Sequence, residues 1–261
     1  MDTMVKMISV GRYRWVYEGN DFAYYVPLFG RLQYGFLKIR RGDIVLDIGA
    51  YPGDFSIYAS EEVGDSGLVI AVEPHPNNFR ILKENIRLNG LRNIIPLNFA
   101  LNNKEGKVTI MDEGVDAKIG VRGYLIDAVT FDSILGLTGV NHIDVLKMDC
   151  ERCEGIVLSE NNILDFRELA IETHSIHNFE IVTRLLKQKG YRIKLLSNSM
   201  IMQNAFKCII KRPLEFVQAE IKSSWLGTRM IYKSLLKKEP LAPATGGNKS
   251  VKVVFATKNI A

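Results

Sequence analysis

Asp47, Gly49 and Gly53 lie in the stretch DIGAYPGDFS, and Glu73 follows 24 residues beyond Gly49. Glycine after a strand permits positive φ and close approach of backbone to a ligand. A helix starting there is expected to aim its free N–H groups at the same point. The stretch is not G-x-G-x-x-G, and no G-K-[ST] follows, which excludes a P-loop and argues against a pyrophosphate site. A carboxylate at the end of the second strand of such a fold is placed to accept both hydroxyls of a ribose. A nucleoside ligand therefore fits these residues better than a dinucleotide.

A second group comes later. Asp149, Cys150, Glu151, Cys153 and Glu154 end one apolar strand, and Glu172, His174 and His177 end the next. In an open α/β sheet the ligand crevice lies beyond the carboxyl ends of the strands, which places the two sets side by side. Two cysteines and two histidines form a soft tetrahedral set suited to zinc. The H-x-x-H spacing is shorter than usual for such a site, so the reading is of no metal and of free, buried cysteines.

These residues need elements to hold them. DIVLDIGA, GLVIAVEP and NIIPLNFAL read as three short strands. GDFSIYASEEV and HPNNFRILKENIRLNG read as the helices between them, the second closed by Gly90. That alternation implies a parallel sheet with right-handed crossovers. KEGKVTIMDEG gives a turn and strand, AVTFDSIL a strand running into a helix, and IDVLKMDC and ELAIETHS two further core strands. NFEIVTRLLKQKGYRIKLLS is a helix and a sixth strand, and VKVVFATK the last strand. Residues 1–42 are aromatic-rich: GRYRWVYEGNDFAYYV is expected to form two strands about the turn EGND, and PLFGRLQYGFLKIR a helix, together a small cap on a main domain of residues 43–261. Leu214, Val217, Ile221, Trp225, Thr228, Tyr232 and Leu235 recur at intervals of three or four. They predict one amphipathic helix from Pro213 to about Lys238, inside an insertion at about 200–250.

VLDIGAYPGDFSIYAS, VIAVEPHPNNFRILKENIRLNG, ALNNKEGKV, VTFDSIL and IDVLKMDCERCEGIVL, in this order, resemble the FkbM-type family of S-adenosylmethionine-dependent methyltransferases. The resemblance spans roughly Asp43 to Gly190. It implies an α/β, Rossmann-like class I methyltransferase fold: a mostly parallel sheet with one antiparallel strand and helices on both faces. It implies S-adenosyl-L-methionine as cofactor, and usually methylation of a hydroxyl. On that resemblance Asp47, Gly49, Ala50, Tyr51 and Gly53 cradle the methionine side. Glu73, with Pro74 beside it, holds the ribose, and Asn98, Phe99 and Ala100 flank the adenine. Asp149, Glu151 and His174 become the catalytic candidates, with either His174, as a neutral imidazole, or Asp149 taking the hydroxyl proton. Two stretches depart from the family pattern: GAYPG stands where GANIG-like turns are usual, and DCERCE where DVEGAE is usual.

The composition sets outer bounds. The chain has 261 residues, 47% hydrophobic and 24% charged, as expected of a soluble globular protein. No secretion signal is read at the N-terminus, and the cytoplasm is the expected location. Net charge is +5, yet residues 205–252 carry ten Lys/Arg against three Asp/Glu. The basic character therefore belongs to one late segment. The leading partner is a small hydroxyl-bearing acceptor: a sugar, a glycolipid or another metabolite. The alternatives are an RNA substrate held by the basic helix, and a non-catalytic nucleoside-binding or scaffold protein. Peripheral membrane contact through 213–238 and a homo-oligomer remain open.

Overall fold

The computed structural model describes residues 5–18, 27–111, 120, 122–151, 153–159, 165–222 and 252–258. Its frame is a seven-stranded sheet. The strands are β3 (Ile44–Ile48), β4 (Leu68–Val72), β5 (Ile94–Leu97), β9 (Val145–Met148), β10 (Glu168–Thr173), β11 (Arg192–Leu195) and β12 (Lys252–Thr257). Their order is β11-β12-β10-β9-β3-β4-β5. The pairings from β5 across to β10 are parallel, and β12 runs antiparallel to both β10 and β11. This is the expected mostly parallel sheet with one reversed strand.

The sequence forms these strands because their residues can be buried on both faces. Val45, Leu46, Val69, Ile70, Val145 and Leu146 are fully buried in the two apolar layers flanking the sheet. Each such side chain contributes about 1.5–3 kcal/mol through burial. Helices α2 (Asp54–Val63) and α3 (Pro76–Leu88) connect the first three sheet strands. Pro76 opens α3, His75 caps it, and Ile81, Leu82, Asn85 and Ile86 form its buried stripe. Helix α4 (Phe131–Thr138) begins with a capping box between Thr130 and Ser133. Helices α5 (Glu154–Ser159) and α6 (Ile176–Gln188) flank β10 in the chain.

The N-terminal hairpin lies earlier than expected. Its strands are β1 (Lys6–Val10) and β2 (Tyr13–Tyr17), and the turn is Gly11–Arg12, with Gly11 at φ +57°. The expected EGND turn and the strand after it fall at 18–26, of which 19–26 lie outside the described residues. Helix α1 (Pro27–Tyr34) stops before the expected GFLKIR extension. Trp15, Tyr34 and Leu37 join Phe55 and Tyr58 of α2 in one buried cluster, so this segment shares the core of the sheet. The fully buried Asn85 of α3 bonds both the N–H and the carbonyl of Val16, and also the carbonyl of Pro52. One side chain thereby ties the hairpin, α3 and the turn after β3 together.

The third expected strand divides. Ile94–Leu97 completes the sheet edge, where Pro96 is tolerated, whereas Ala100–Leu101 (β6) enters a separate three-stranded sheet with β7 (Gly106–Ile110) and β8 (Tyr124–Val129). Helix α7 (Asn198–Lys211), capped by Ser197, was not expected. Helix α8 (Pro213–Lys222) begins at the expected proline, and the rest of the expected helix to Lys238, with Trp225, lies outside the described residues. Among the described residues no helix is long and apolar enough to cross a membrane.

Candidate active site

Strand β3 delivers the chain into the glycine turn. Gly49 sits at φ +73° and Gly53 at φ +104°. A Cβ on Gly49 would lie 1.7 Å from the carbonyl oxygen of Asp149, so this turn touches the end of β9 directly. The N–H groups of Gly49 and Ala50 both reach the Val72 carbonyl, and that of Gly53 reaches the Ala50 carbonyl. The Tyr51–Pro52 peptide is cis.

Asp47 lies beneath the turn. Its fully buried carboxylate accepts from Ser56 Oγ at 2.5 Å and faces Lys147 Nζ at 3.1 Å. Lys147 also donates to the Gly49 carbonyl at 2.7 Å. Burial opposes its charge, but Asp47, Asp149 and Asp54 outweigh that and raise its pKa, so the ammonium persists. Asp54 is the first residue of α2 and is buried beside the turn. Burial pushes Asp54 up to about 7.

Glu73 ends the extension of β4 and is 4% exposed. Its carboxylate accepts from the Tyr51 N–H at 3.2 Å and the His75 N–H at 3.0 Å. Burial raises its pKa to about 7 against those bonds. The Asn98 amide donates to the carbonyls of Glu73 and Pro74, fixing the strand end. Phe99 is half-buried against the core and Ala100 is buried in β6.

The carboxyl ends of β9 and β10 carry the second cluster. His174 Nδ1 bonds Glu154 Oε1 at 2.9 Å, while Nε2 lies 3.2 Å from Glu151 and 3.4 Å from Asp149. Burial opposes charge on His174, but the bonds to Glu151 and Glu154 and the charge of Asp149 push its pKa up to about 11. The sequence reading took a neutral imidazole; among these carboxylates the ring is a cation at neutral pH. Glu154 Oε2 is held by the Asn178 amide. Asp149 does not cap the next helix, because its carboxylate turns toward His174 and burial raises its pKa. Glu151 adopts φ +51°, the only non-glycine among the described residues with positive φ, a conformation that persists where its surroundings over-determine it.

Four residues in and around this cluster, Glu172, Lys147, Gln33 and Tyr34, had no role assigned from sequence. Glu172, 1% exposed, accepts from Gln33 Nε2 at 2.8 Å and Tyr34 OH at 3.3 Å, both on α1. Burial lifts Glu172 to about 8, assisted by Asp149. Lys147 did carry a local signal, a lone cation inside the apolar run IDVLKMDC. Gln33 and Tyr34 carried none, because their partner lies more than 130 residues away.

The cysteine reading is corrected. Cys150 and Cys153 are joined in a disulfide with Cα atoms 5.4 Å apart, and only Cys208 is free. Their thiolates cannot ligate zinc, and His177 is exposed away from such a set. Asp149, Glu172 and His174 do bring one potential ligand atom each within 4.8 Å of one another. Because both ring nitrogens of His174 face carboxylates, it would have to give up a proton before ligating a cation.

The donor set suits a nucleoside sulfonium. Two glycines open the turn, a buried carboxylate with spare lone pairs ends the second strand, and carboxylates outnumber cations around the turn. Sheet order, turn and carboxylate define a Rossmann-like, class I nucleoside-cofactor transferase. The Methyltransferase FkbM domain family matches residues 47–193, and the chain belongs to it. S-adenosylmethionine is the cofactor of this family, as the motifs imply. Among curated relatives, the chain is 54% identical over 35 residues to ribosomal RNA large subunit methyltransferase E of Desulfotalea psychrophila, covering 13% of this chain and 17% of that one. It is 27% identical over 160 residues to the protein of the same name from Methanobrevibacter smithii, covering 61% of this chain and 68% of that one. Among solved structures, Aeropyrum pernix fibrillarin with natively bound S-adenosyl-L-methionine aligns at TM-score 0.47 and 16% identity, covering 97% of this chain and 100% of that one.

Proposed function

We propose that the protein transfers a methyl group from S-adenosylmethionine to a hydroxyl of a sugar, a glycolipid or another metabolite. The observation that carries this reading is the contact between the Gly49 turn and Asp149, which sets the cofactor cradle against an ionisable cluster. Glu73 would hold the ribose hydroxyls, and the turn from Gly49 to Gly53 the methionine end. Bound there, the cofactor supplies a methyl group already activated on sulfur. Asp149 would take the acceptor's proton, since burial makes its carboxylate a stronger base than in water. His174, protonated, would hold Asp149 and Glu151 in place and limit their mutual repulsion. Alignment of acceptor and donor would supply most of the rate.

The relatives' names raise ribosomal RNA as a second acceptor. The acidic cluster of Asp149, Glu151 and Glu154 favours a neutral acceptor over a phosphate chain. The test is transfer of labelled methyl from S-adenosylmethionine to panels of polyols, glycolipids and RNA. Transfer to the first two, insensitive to salt, supports the reading; transfer only to RNA, falling steeply with salt, overturns it. Cofactor binding with no transfer to any acceptor would favour the scaffold reading.

A further inference from the structure

Helix α7 is apolar on two opposite faces. Ile201, Ala205 and Cys208 point into the domain and pack beside Val10 and Leu32 or are buried nearby. Phe206 and Ile210 point the other way and are 65% and 64% exposed, with Ile209 beside them at 40%. Exposed apolar residues recur on the next helix, α8, where Leu214 is 66% and Val217 51% exposed. Isolated exposed apolar residues are ordinary, but five along two consecutive helices mark a contact surface. Lys207 and Lys211 flank it, both exposed, and α7 holds no acidic residue.

The orientation of this face is fixed. Glu61 of α2 bonds Arg12 of the hairpin turn, Arg31 of α1 and Arg212 at the α7–α8 junction. Arg212 also pairs with Glu215 at 3.2 Å. The junction is thereby tied by ion pairs to α2, and through Glu61 to α1 and the hairpin turn.

Charge decides between occupants. Residues 205–252 carry ten Lys/Arg against three Asp/Glu, so the stretch after α8 is itself basic and would bring like charge to Lys207 and Lys211. A second copy meeting this face across a two-fold axis would do the same. An anionic bilayer surface satisfies both features, because apolar side chains enter the acyl boundary while lysines stay among the headgroups. We propose that the outward face of α7 and α8 docks the protein on an anionic membrane surface as a peripheral, non-spanning contact. The proposal is independent of which acceptor is methylated.

Flotation of the full chain with vesicles tests it. One set is phosphatidylcholine, the other phosphatidylcholine with roughly 30 mol % phosphatidylglycerol. The expected result is flotation with the anionic set alone, weakening as salt rises. The Phe206→Ser/Ile210→Ser and Lys207→Glu/Lys211→Glu variants should each partition at least about tenfold more weakly. Calorimetric S-adenosylmethionine affinity equal to wild type shows that a variant is folded; if a double variant fails this control, Phe206→Ser alone and the salt series decide. No flotation at low salt overturns the proposal, as does undiminished flotation of folded variants. A dimer by light scattering that Phe206→Ser/Ile210→Ser disperses, without flotation, would assign the face to a second copy and overturn it as well.

Discussion

Lys147 Nζ lies 2.7 Å from the Gly49 carbonyl oxygen and so fastens the middle of the sheet to the glycine turn. The same ammonium faces Asp47, which no solvent reaches. Lys147→Met should remove the fastening and strand a buried carboxylate, lowering stability by about 3–5 kcal/mol. Cofactor affinity should fall at least about tenfold under conditions where circular dichroism shows folded protein. Wild-type affinity by calorimetry in the folded variant would remove Lys147 from the cofactor site.

Gly49 and Gly90 form a matched pair for mutation. Both have positive φ, but a Cβ on Gly49 meets the Asp149 carbonyl at 1.7 Å whereas one on Gly90 meets nothing within 4 Å. Gly90→Ala should cost about 1–2 kcal/mol, the ordinary strain of a left-handed residue. Gly49→Ala should cost clearly more and abolish cofactor binding. Equal melting temperatures for the two variants would contradict the contact between turn and β9.

On the proposed ribose-binding role, Glu73 should make cofactor affinity depend on pH. Its pKa of about 7 is raised from 4.5, so its carboxylate becomes fully charged only above neutrality. Affinity for S-adenosylmethionine should rise as pH increases through about 7, and Glu73→Gln should flatten that rise. Glu73→Ala should weaken binding at pH 8 by at least about tenfold without unfolding the protein. A rise that persists in Glu73→Gln would assign it to another group.

The stability of the cofactor-free protein should run the other way. Asp54 and Glu73 titrate at about 7 and Glu172 at about 8, all above their ordinary values. The fold therefore retains protons that the unfolded chain has already released, which stabilises it at low pH and is lost as pH rises through 7 and 8. His174, raised to about 11, adds to the same trend above its ordinary value of 6.5. Thermal melts should show a lower midpoint at pH 8 than at pH 5.5, by roughly 2–4 °C for each kcal/mol lost. A midpoint that climbs across this range would contradict the buried, proton-holding cluster.

Asp149→Asn should reduce single-turnover methyl transfer by about 100-fold or more while cofactor affinity changes little. His174→Ala should also slow transfer, and its pH profile should shift because Asp149 and Glu151 lose their shared cation. Wild-type rates in both variants would remove the cluster from the reaction.

Thiol titration under denaturing, non-reducing conditions should find one reactive cysteine, Cys208, and three after reduction. Three before reduction would contradict the Cys150–Cys153 bond.

Much of this was legible in the sequence, and the gaps have physical causes. The β3, β4 and β9 strands stand out because burial on both faces demands unbroken apolar runs, and Gly49, Gly53 and Glu73 fall at fixed offsets from them. The hairpin about Gly11–Arg12 was not read from the sequence because Gly-Arg is weaker turn chemistry than EGND, most of which lies outside the described residues. Strand β5 was overextended because NIIPLNFAL stays apolar while the chain crosses to another sheet. Helix α7 was missed because two apolar faces blur the usual amphipathic period. His174 was read as neutral because placing Asp149, Glu151 and Glu154 beside it by strand order does not show that their carboxylates close on both ring nitrogens.

The position of β12 carries a consequence for how the chain reaches this state. Residues 252–257 insert between β10 and β11, so β10 gains its second neighbour only from the far end of the sequence. Until then Glu172 and Thr173 sit on an open, hydrogen-bond-hungry edge. Since pairings that close long loops form late, the residues at the heart of the acidic cluster are among the last to be locked, although they are encoded in the middle.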